Sequence, residues 1–380
     1  MRIISVLSWL FVSILVLSAL SLAAESDMDR LLYLLSEKGV VTKEEAAGFR
    51  ADLAIKKQEE KEKQKEFSVI TGKPIKISGY TQSRYRQDES INDTFDIRRA
   101  RLTFKGNITE RFSYKLQHEF GGSSQKLLDA ELGYEFNPHF KLSAGQFKIP
   151  FSQENLTPSA KLDTINRSQV VEALTARSKD VLGNQSGRDI GIKASGSFWQ
   201  VSDIFIFDYE LGVFNGSGIN TSDRNEHKDF IGRLIFHPIN GLSVGASYYS
   251  GRYTLPTAPT RKDDRDRIGV EFAYVHEPIS LKGEYIKGND GVTKKNGWYL
   301  QAGYFFIPKK LQGILKYDAY DPNKKASKNA IDALTIGANW FFNKWAKLQV
   351  NYELKDGKGK EKKQYLTCPI AVGLLGKHKK

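Results

Sequence analysis

Alternation of apolar and polar side chains with a period of two restricts the fold of this chain more than any other feature. The alternation begins at Ile75 and continues to about Glu353, in runs separated by clusters of Gly, Asn, Asp and Pro. Runs of this kind predict antiparallel β-strands. We predict strands at 75–86, 96–108, 111–120, 127–136, 140–148, 188–198, 202–215, 228–237, 241–252, 266–275, 279–288, 297–306, 311–320, 331–342 and 345–354, with one more possible at 363–372.

The apolar face of these strands commonly ends in an aromatic residue. In the run 266–275 this face carries Ile268, Val270, Phe272 and Tyr274. A tilted strand of about ten residues crosses a bilayer, and aromatic girdles mark the two membrane interfaces. After residue 24 the sequence contains no segment that approaches the roughly 18 apolar residues of a transmembrane helix. The pattern therefore favours strands that cross a membrane.

The connections between the runs alternate in length. The segments "NPHF" (137–140), "HPING" (237–241) and "HEP" (276–278) are tight, whereas the longer connections are 149–187, 216–228, 253–265 and 321–330. Short turns on one rim and long loops on the other are typical of outer-membrane barrels. We therefore predict an all-β fold, a transmembrane antiparallel β-barrel of about 16 strands that is wide enough for a water-filled channel. A soluble periplasmic β-protein that binds acidic ligands is the alternative, because its strands would also alternate.

The chain divides into three predicted segments. Residues 1–24 combine Arg2, an apolar run and small residues at the exit, which is typical of a signal peptide that is cleaved after export. Residues 25–70 predict a short periplasmic helical and linker segment, in which Thr42 and Glu45 form a capping box and 55–66 is a solvated linker or a short coiled coil. Residues 71–380 form the barrel domain of the cell outer membrane, with an atypical C-terminal tail at 355–380.

Several classes of site are excluded by residue usage. Cys368 is the only cysteine, and the six histidines show no metal-ligand spacing. Ser, His and Asp show no arrangement typical of catalysis, so we predict neither catalytic residues nor a metal or other cofactor, and an enzyme or autotransporter-like pore is disfavoured. The net charge of +13 does not indicate nucleic-acid binding, because eight lysines against two acidic residues in 355–380 account for +6 of it.

Strand parity directs basic side chains into the lumen. In the run 96–108, the residues that face lipid are Ala100, Leu102 and Phe104, so those that face the lumen are Arg99, Arg101 and Lys105. Arg98 has the lipid-side parity and is expected at the rim. The first strand directs Lys76, Arg84 and Arg86 inward in the same way. Because Arg and Lys rings favour anion passage, these six inward cations predict an anion pathway.

The long loop 149–187 interrupts the strand pattern and is expected to fold into the pore. It carries four basic and four acidic residues, so its net charge is zero. It can form an anion-binding constriction only if its cations point inward. Its candidate residues are Lys161, Arg167 and Arg177.

Three segments carry a family resemblance. They read "FDIRRARLTFKGNITERFSYKLQHEF", "ELGYEFNPHFKLSAGQFKIPFSQENL" and "GRDIGIKASG", and they resemble the phosphate-selective porin O/P family of Gram-negative outer membranes, as does the stretch "LLYLLSEKGVVTKEEA". The resemblance spans about residues 28–354. It implies a sixteen-stranded barrel, usually a homotrimer in outer-membrane lipid, with an arginine-lined route for phosphate-type anions. By motif, the resemblance implies that Arg99 and Arg101 lie in the channel wall and that Lys148 and Arg167 lie at the constriction.

The resulting hypothesis is passive diffusion of small anions such as phosphate or polyphosphate through a lumen lined by Arg and Lys. A general, weakly selective porin for small hydrophilic solutes is the alternative. The C-terminus departs from the family pattern, because such barrels typically end in an aromatic residue and this chain ends in lysine. Pro369 also removes a hydrogen-bond donor from the expected closing strand, so barrel closure by 363–372 stays open.

Overall fold

The computed structural model describes only part of the chain, namely residues 37–38, 41–42, 44–45, 47–49, 51–52, 75–88, 91–122, 125–201, 204–255 and 257–357. The chain forms two compact units, Met1–Gly72 and Lys73–Lys380. The predicted signal peptide, most of 25–70, the possible strand at 363–372 and most of the tail lie outside the described residues. Within the described ranges, no helix has the length and apolar character needed to span a membrane.

The predicted capping box is present in the first unit. Thr42 N donates to Glu45 Oε2 at 2.8 Å, and Glu45 N donates to Thr42 Oγ1 at 3.2 Å. These bonds satisfy amide groups that the start of a helix leaves unbonded. The described residues between 44 and 52 are helical, as this capping box predicts.

Among its described residues, the second unit contains sixteen antiparallel strands. Fifteen of them pair in chain order, β10 pairs with β11 alone, and among the described residues no ladder joins β1 to β16. Each of the fifteen predicted strands overlaps one strand of the continuous path, so the predicted all-β barrel architecture is confirmed. The strands are β1 (Lys76–Asp88), β2 (Ile91–Asn107), β3 (Phe112–Glu119), β4 (Lys126–Asn137), β5 (Phe140–Lys148), β6 (Arg188–Val201), β7 (Ile204–Phe214), β8 (Asp229–Ile239), β9 (Leu242–Ser250), β10 (Arg252–Leu255), β11 (Ala258–His276), β12 (Ile279–Asp290), β13 (Thr293–Ile307), β14 (Leu311–Asp321), β15 (Ile331–Phe341) and β16 (Lys347–Asp356).

Apolar side chains cover the outside of the sheet, as the alternation predicts. On β11 the side chains of Ile268 and Val270 are 49% and 52% exposed, whereas those of Arg267 and Glu271 are 2% and 7% exposed. A soluble protein buries its apolar face instead. An outward apolar face fits lipid as the surrounding solvent, and it contradicts the soluble periplasmic alternative.

A β-bulge reorients one basic residue on β2. The pairing of β1 with β2 shifts register between Gln82 and Ser83, and this shift leaves Arg98 without a partner across the ladder. Because a bulge adds one residue to one strand, side-chain alternation restarts after it. Arg98 and Arg99 therefore both lie on the lumen side, and the charge of Glu172 in the inward loop acts on Arg98. The prediction that Arg98 has lipid-side parity is wrong.

Turn lengths at the two ends of the barrel mostly follow the prediction. The tight turns at 137–140, 237–241 and 276–278 join β4 to β5, β8 to β9 and β11 to β12 at one end. The connection predicted at 253–265 is instead a hairpin, in which Arg252 pairs with Asp264. The strand β10 is only four residues long, and residues 261–265 on the facing strand are all charged, so the alternation did not predict this hairpin.

The loop 149–187 lies inside the barrel and packs against one side of it. It contains α1 (Gln153–Leu156), a 3-10 turn (Ser159–Lys161) and α2 (Gln169–Leu174). Apolar side chains of α2 and of the lumen wall form a buried core that includes Val170, Val171, Leu174, Ile231, Tyr249, Ile286, Tyr299 and Tyr320. Each Val or Leu buried in this way contributes about 1.5–3 kcal/mol. The loop is thereby fixed to the side formed by β8–β14, and the remaining lumen lies beside β1–β5.

Candidate anion pathway

Acidic side chains of the loop point at the wall to which the loop is attached. Three ion pairs join the loop to β14, β12 and β11: Glu154 with Lys316 at 2.8 Å, Asp163 with Lys282 at 2.6 Å, and Asp180 with Arg265 at 2.9 Å. Three of the four acidic residues of the loop are therefore neutralised by wall cations. Their charges do not face the lumen beside β1–β5.

Polar side chains of β14 and β16 bind the loop backbone as well. Gln169 N donates to Asp318 Oδ1 at 3.1 Å, and Ile165 N donates to Asn351 Oδ1 at 2.7 Å. Lys347 Nζ donates to the carbonyl oxygen of Leu162 at 2.7 Å. These bonds satisfy buried backbone groups that a loop inside a barrel would otherwise leave unpaired.

Lys148, at the end of β5, binds neutral oxygens instead. Its Nζ donates to the carbonyl oxygens of Asn155, Leu156 and Thr157 at 2.8, 2.9 and 3.0 Å. These carbonyls end α1, where a helix favours a positive charge. The ammonium group is held in place, and no carboxylate neutralises it among the described residues.

Arg167 and Arg177 of the loop are held in the same way. Arg167 Nε donates to the carbonyl oxygen of Glu154 at 2.9 Å, and its Nη2 donates to that of Thr157 at 2.8 Å. Arg177 Nε donates to Asn155 Oδ1 at 2.8 Å. Burial lowers the pKa of both guanidinium groups, and for Arg177 the nearby charge of Arg167 lowers the pKa further. Both stay charged at neutral pH, since arginine is not deprotonated in proteins.

Glu172 is the one acidic residue of the loop that is not paired with the wall. Its carboxylate accepts a hydrogen bond from Ser178 N at 3.3 Å. Burial raises the pKa of this carboxyl, but the charges of Arg177 and Arg167 and the Ser178 bonds outweigh burial, so the pKa is lowered overall. The basic side of the loop therefore contains one ionised carboxylate.

The arginines of β1 and β2 differ in how they are paired. Arg99 Nη1 donates to the neutral Gln82 Oε1 at 2.6 Å, whereas Arg101 Nε donates to Glu119 Oε2 at 2.6 Å and Arg84 forms an ion pair with Asp96. Asp96 lies on β2 itself, an acidic residue that the parity argument did not weigh.

Among the arginines of β1 and β2, two carry an unbonded nitrogen. Arg86 Nε and Arg98 Nη1 are buried and have no hydrogen-bond partner in the described part of the chain. Buried donors without partners are uncommon in proteins.

Ser159 links the loop to the wall of β2. Its Oγ accepts hydrogen bonds from Arg101 Nη1 and from Arg167 Nη1, each at 3.4 Å. The loop therefore reaches across the lumen at this point, and a wall arginine and a loop arginine share one neutral acceptor. This crossing at Ser159 is the candidate narrow region of the lumen.

A basic cavity lies at the short-turn end of the lumen. It has a volume of about 490 Å³, and its lining includes Lys76, Lys105, Lys115, Lys141 and Glu131. Lys115 is paired with Asp129 at 2.6 Å. Lys76 and Lys105 thus lie apart from the narrow region.

The structure brings together five of the ten candidate residues around the narrow region. These are Arg99, Arg101, Lys148, Arg167 and Arg177, which act electrostatically on one another. Lys161 is exposed and does not join them. Sequence parity missed Arg98, and only the register of β1 against β2 could have located it. Over the described ranges, no group of three or more His, Cys, Asp or Glu side chains could hold a metal ion.

Comparison with known proteins agrees with this architecture. A protein of Aquifex aeolicus (strain VF5), described as uncharacterized, is 25% identical over an alignment of 422 positions. The alignment covers 94% of this chain and 97% of that protein. The anion-selective porin from Comamonas acidovorans superimposes with a TM-score of 0.59 at 16% identity, over 80% of this chain and 96% of that chain. OmpT, an outer-membrane protein of Vibrio cholerae in its trimer form, superimposes with a TM-score of 0.53 at 14% identity, over 79% of this chain and 97% of that chain.

At these identities the structural similarity shows the barrel fold and nothing more specific. Family membership comes from the sequence itself, because residues 75–368 match the family described as phosphate-selective porin O and P. The match covers almost the whole sheet, including the inward loop. The chain belongs to the phosphate-selective porin O and P family.

Proposed function

We propose that this protein is an outer-membrane channel for passive diffusion of small anions, with phosphate or polyphosphate as its preferred class. The observation that carries the proposal is the way the narrow region holds its cations. The hydrogen bonds of Lys148, Arg167 and Arg177 go to neutral oxygens, so no direct ion pair cancels their positive charges. Three of the four loop carboxylates are bonded to the opposite wall, and only Glu172 lies beside these cations.

Arginine suits this class of anion. Its planar fork of N–H donors matches the oxygens of phosphate and carboxylate groups. Arg99, Arg101 and Arg167 act on one another as like charges, with Arg98 beside them. An anion among them relieves this repulsion, so the cluster attracts anions more strongly than its separate residues would.

The comparisons support the proposal at a coarser level. The family is described as phosphate-selective, and one structural neighbour is described as an anion-selective porin. Porins are channels rather than enzymes, and the outward apolar face suits outer-membrane lipid. The trimer form of the OmpT neighbour supports a homotrimer here. Export through a cleaved signal peptide is part of the same proposal.

A general, weakly selective porin is the second candidate. The observation that favours it is the presence of acidic residues beside the basic ones. Asp96 and Glu119 neutralise Arg84 and Arg101, and Glu172 remains on the basic side of the loop. In this case the channel would show only a slight anion preference.

Single-channel recording in a planar bilayer separates the two candidates. We expect a reversal potential in a salt gradient that shows anion preference, and a chloride current that phosphate partly blocks. The double variant Arg99→Glu with Arg101→Glu is expected to shift the reversal potential toward cations. Cation preference in the natural protein would contradict the proposal, and an unchanged potential in the variant would show that these two arginines do not line the route.

A further inference from the structure

Asn155 joins the two ends of the inward loop. Its side chain is fully buried, and Nδ2 donates to the carbonyl oxygens of Ile149 and Gly187 at 3.4 and 3.3 Å. Ile149 N also donates to the carbonyl oxygen of Gly187 at 3.1 Å. Residues 149 and 187 are the first and last of the loop, so Asn155 lies where the chain enters and leaves the lumen.

The same residue holds two cations of the narrow region. Its Oδ1 accepts a hydrogen bond from Arg177 Nε at 2.8 Å. Its backbone carbonyl oxygen accepts from Lys148 Nζ at 2.8 Å and from Arg177 Nη2 at 3.3 Å. One neutral residue therefore supplies two acceptors to Arg177 and one to Lys148.

The backbone beneath Asn155 confines its side chain. Gly187 has a φ of +73°, and a Cβ atom there would lie 1.9 Å from Asn155 Oδ1. The amide group therefore lies directly against the glycine backbone. An amide both donates and accepts, whereas an ionised carboxylate only accepts and an aliphatic side chain does neither. Asparagine donates to the carbonyl oxygens of Ile149 and Gly187 and accepts from Arg177 without adding charge.

We propose that Asn155 is a positioning residue for anion selectivity, which fixes Arg177 at the narrow region without itself adding a negative charge. The proposal rests on the proposed anion channel. A carboxylate in the same place would also hold Arg177, but it would cancel the charge that attracts the anion. Selectivity at this position therefore depends on the neutrality of the acceptor as well as on its geometry.

Three variants test this role in planar bilayers. Asn155→Asp is expected to shift the reversal potential toward cations by as much as Arg177→Gln does, since each removes one net positive charge. Asn155→Ala is expected to give a smaller shift in the same direction and a higher conductance, because the loop ends are released. Gln153→Ala is the matched control, as Gln153 Nε2 binds only the wall carbonyls of Phe272 and Gly283 at 2.8 and 2.9 Å. Its reversal potential is expected to match that of the natural protein.

A double variant tests whether Asn155 acts through Arg177. In an Arg177→Gln background, Asn155→Ala is expected to leave the reversal potential where Arg177→Gln set it, because interacting sites are not additive. Folding of each variant is checked by heat-modifiable gel mobility. A folded Asn155→Asp or Asn155→Ala protein with the natural reversal potential would overturn the positioning role. A natural protein without anion preference would overturn the proposed function instead, so the two failures are distinct.

Discussion

Four buried cations, two on each side of the lumen, are held by different kinds of partner. On the side that carries the loop, Lys316 and Arg265 are paired with carboxylates of the loop. On the open side, Lys148 and Arg177 are bonded to carbonyl and amide oxygens. Every one of these cations is hydrogen-bonded, yet only the second pair has no carboxylate partner. Under the proposed function, the type of acceptor, rather than the number of basic residues, decides which side conducts anions.

The ion pairs on the side that carries the loop have a structural role. A buried ion pair adds little net stability compared with an apolar pair, but removing one partner leaves an uncompensated charge. The Glu154–Lys316 pair, with side chains 6% and 1% exposed, is of this kind. Glu154 also accepts hydrogen bonds from Ser168 N and Oγ at 2.8 and 2.9 Å. The attached side therefore holds the loop in position, and in the proposed channel the open side of the loop selects anions.

The largest effect is expected from breaking this attachment. Lys316→Met leaves the Glu154 carboxylate buried without a cation, which costs about 3–5 kcal/mol. We expect the loop to leave the wall, so that single-channel conductance rises and the loop becomes sensitive to added protease. Lys228→Met is the control, because the exposed Lys228–Asp223 pair is worth about 0–1 kcal/mol. Unchanged conductance and protection in Lys316→Met would show that the apolar core alone holds the loop.

The next largest effect tests the comparison of acceptors directly. Arg99→Gln removes a charge that only the neutral Gln82 holds, and we expect a clear fall in the ratio of anion to cation permeability. The double variant Lys193→Gln with Glu210→Gln removes one positive and one negative charge, and Arg233, which also pairs with Glu210, keeps its ion pair with Glu271. We therefore expect no change in that ratio. The reversal potentials of the Arg99→Gln variant and of the double variant are compared in the same salt gradient. Equal shifts would mean that pairing does not govern selectivity.

A smaller shift in the same direction is expected from Arg98→Gln. The bulge directs Arg98 into the lumen, but the negative charges of Asp96 and Glu172 act on it and reduce its effect. Arg111→Gln, at the exposed turn between β2 and β3, is the control. If Arg98 faced lipid, its neutralisation would leave the reversal potential unchanged.

The barrel could be predicted from the sequence because its signal is local and repeated. Each strand carries its own apolar and polar faces, so a period of two shows in every run without knowledge of the neighbouring strand. Arg98 could not be placed in this way, since a bulge is a property of the pairing between two strands. The hairpin of β10 and β11 was not predicted either, because β10 is only four residues long and residues 261–265 on the facing strand are all charged.

The sorting of charges within the loop could not be predicted at all. The balance of four basic and four acidic residues shows no net charge, and it does not say which of them pair with the wall. The partners of Glu154 and Asp163 lie 162 and 119 residues further along the chain. Only the fold brings Lys316 and Lys282 to these carboxylates. The resemblance indicated Lys148 and Arg167, while their neutral acceptors became visible only in the structure.

The smallest effect is expected at Glu172, the one loop carboxylate on the open side. Glu172→Gln removes a negative charge beside Arg177, so we expect a slight rise in anion preference and a stronger block of the chloride current by phosphate. The pKa of Glu172 is lowered, which means that the carboxylate keeps its charge as the pH falls toward the ordinary carboxyl range of about 4. Acidification from about pH 7 to about pH 5 should therefore not reproduce the variant. Glu110→Gln, at an exposed turn, serves as the control. A fall in anion preference in Glu172→Gln would show instead that this carboxylate positions Arg177, and that its orienting effect on the cation outweighs its opposing charge.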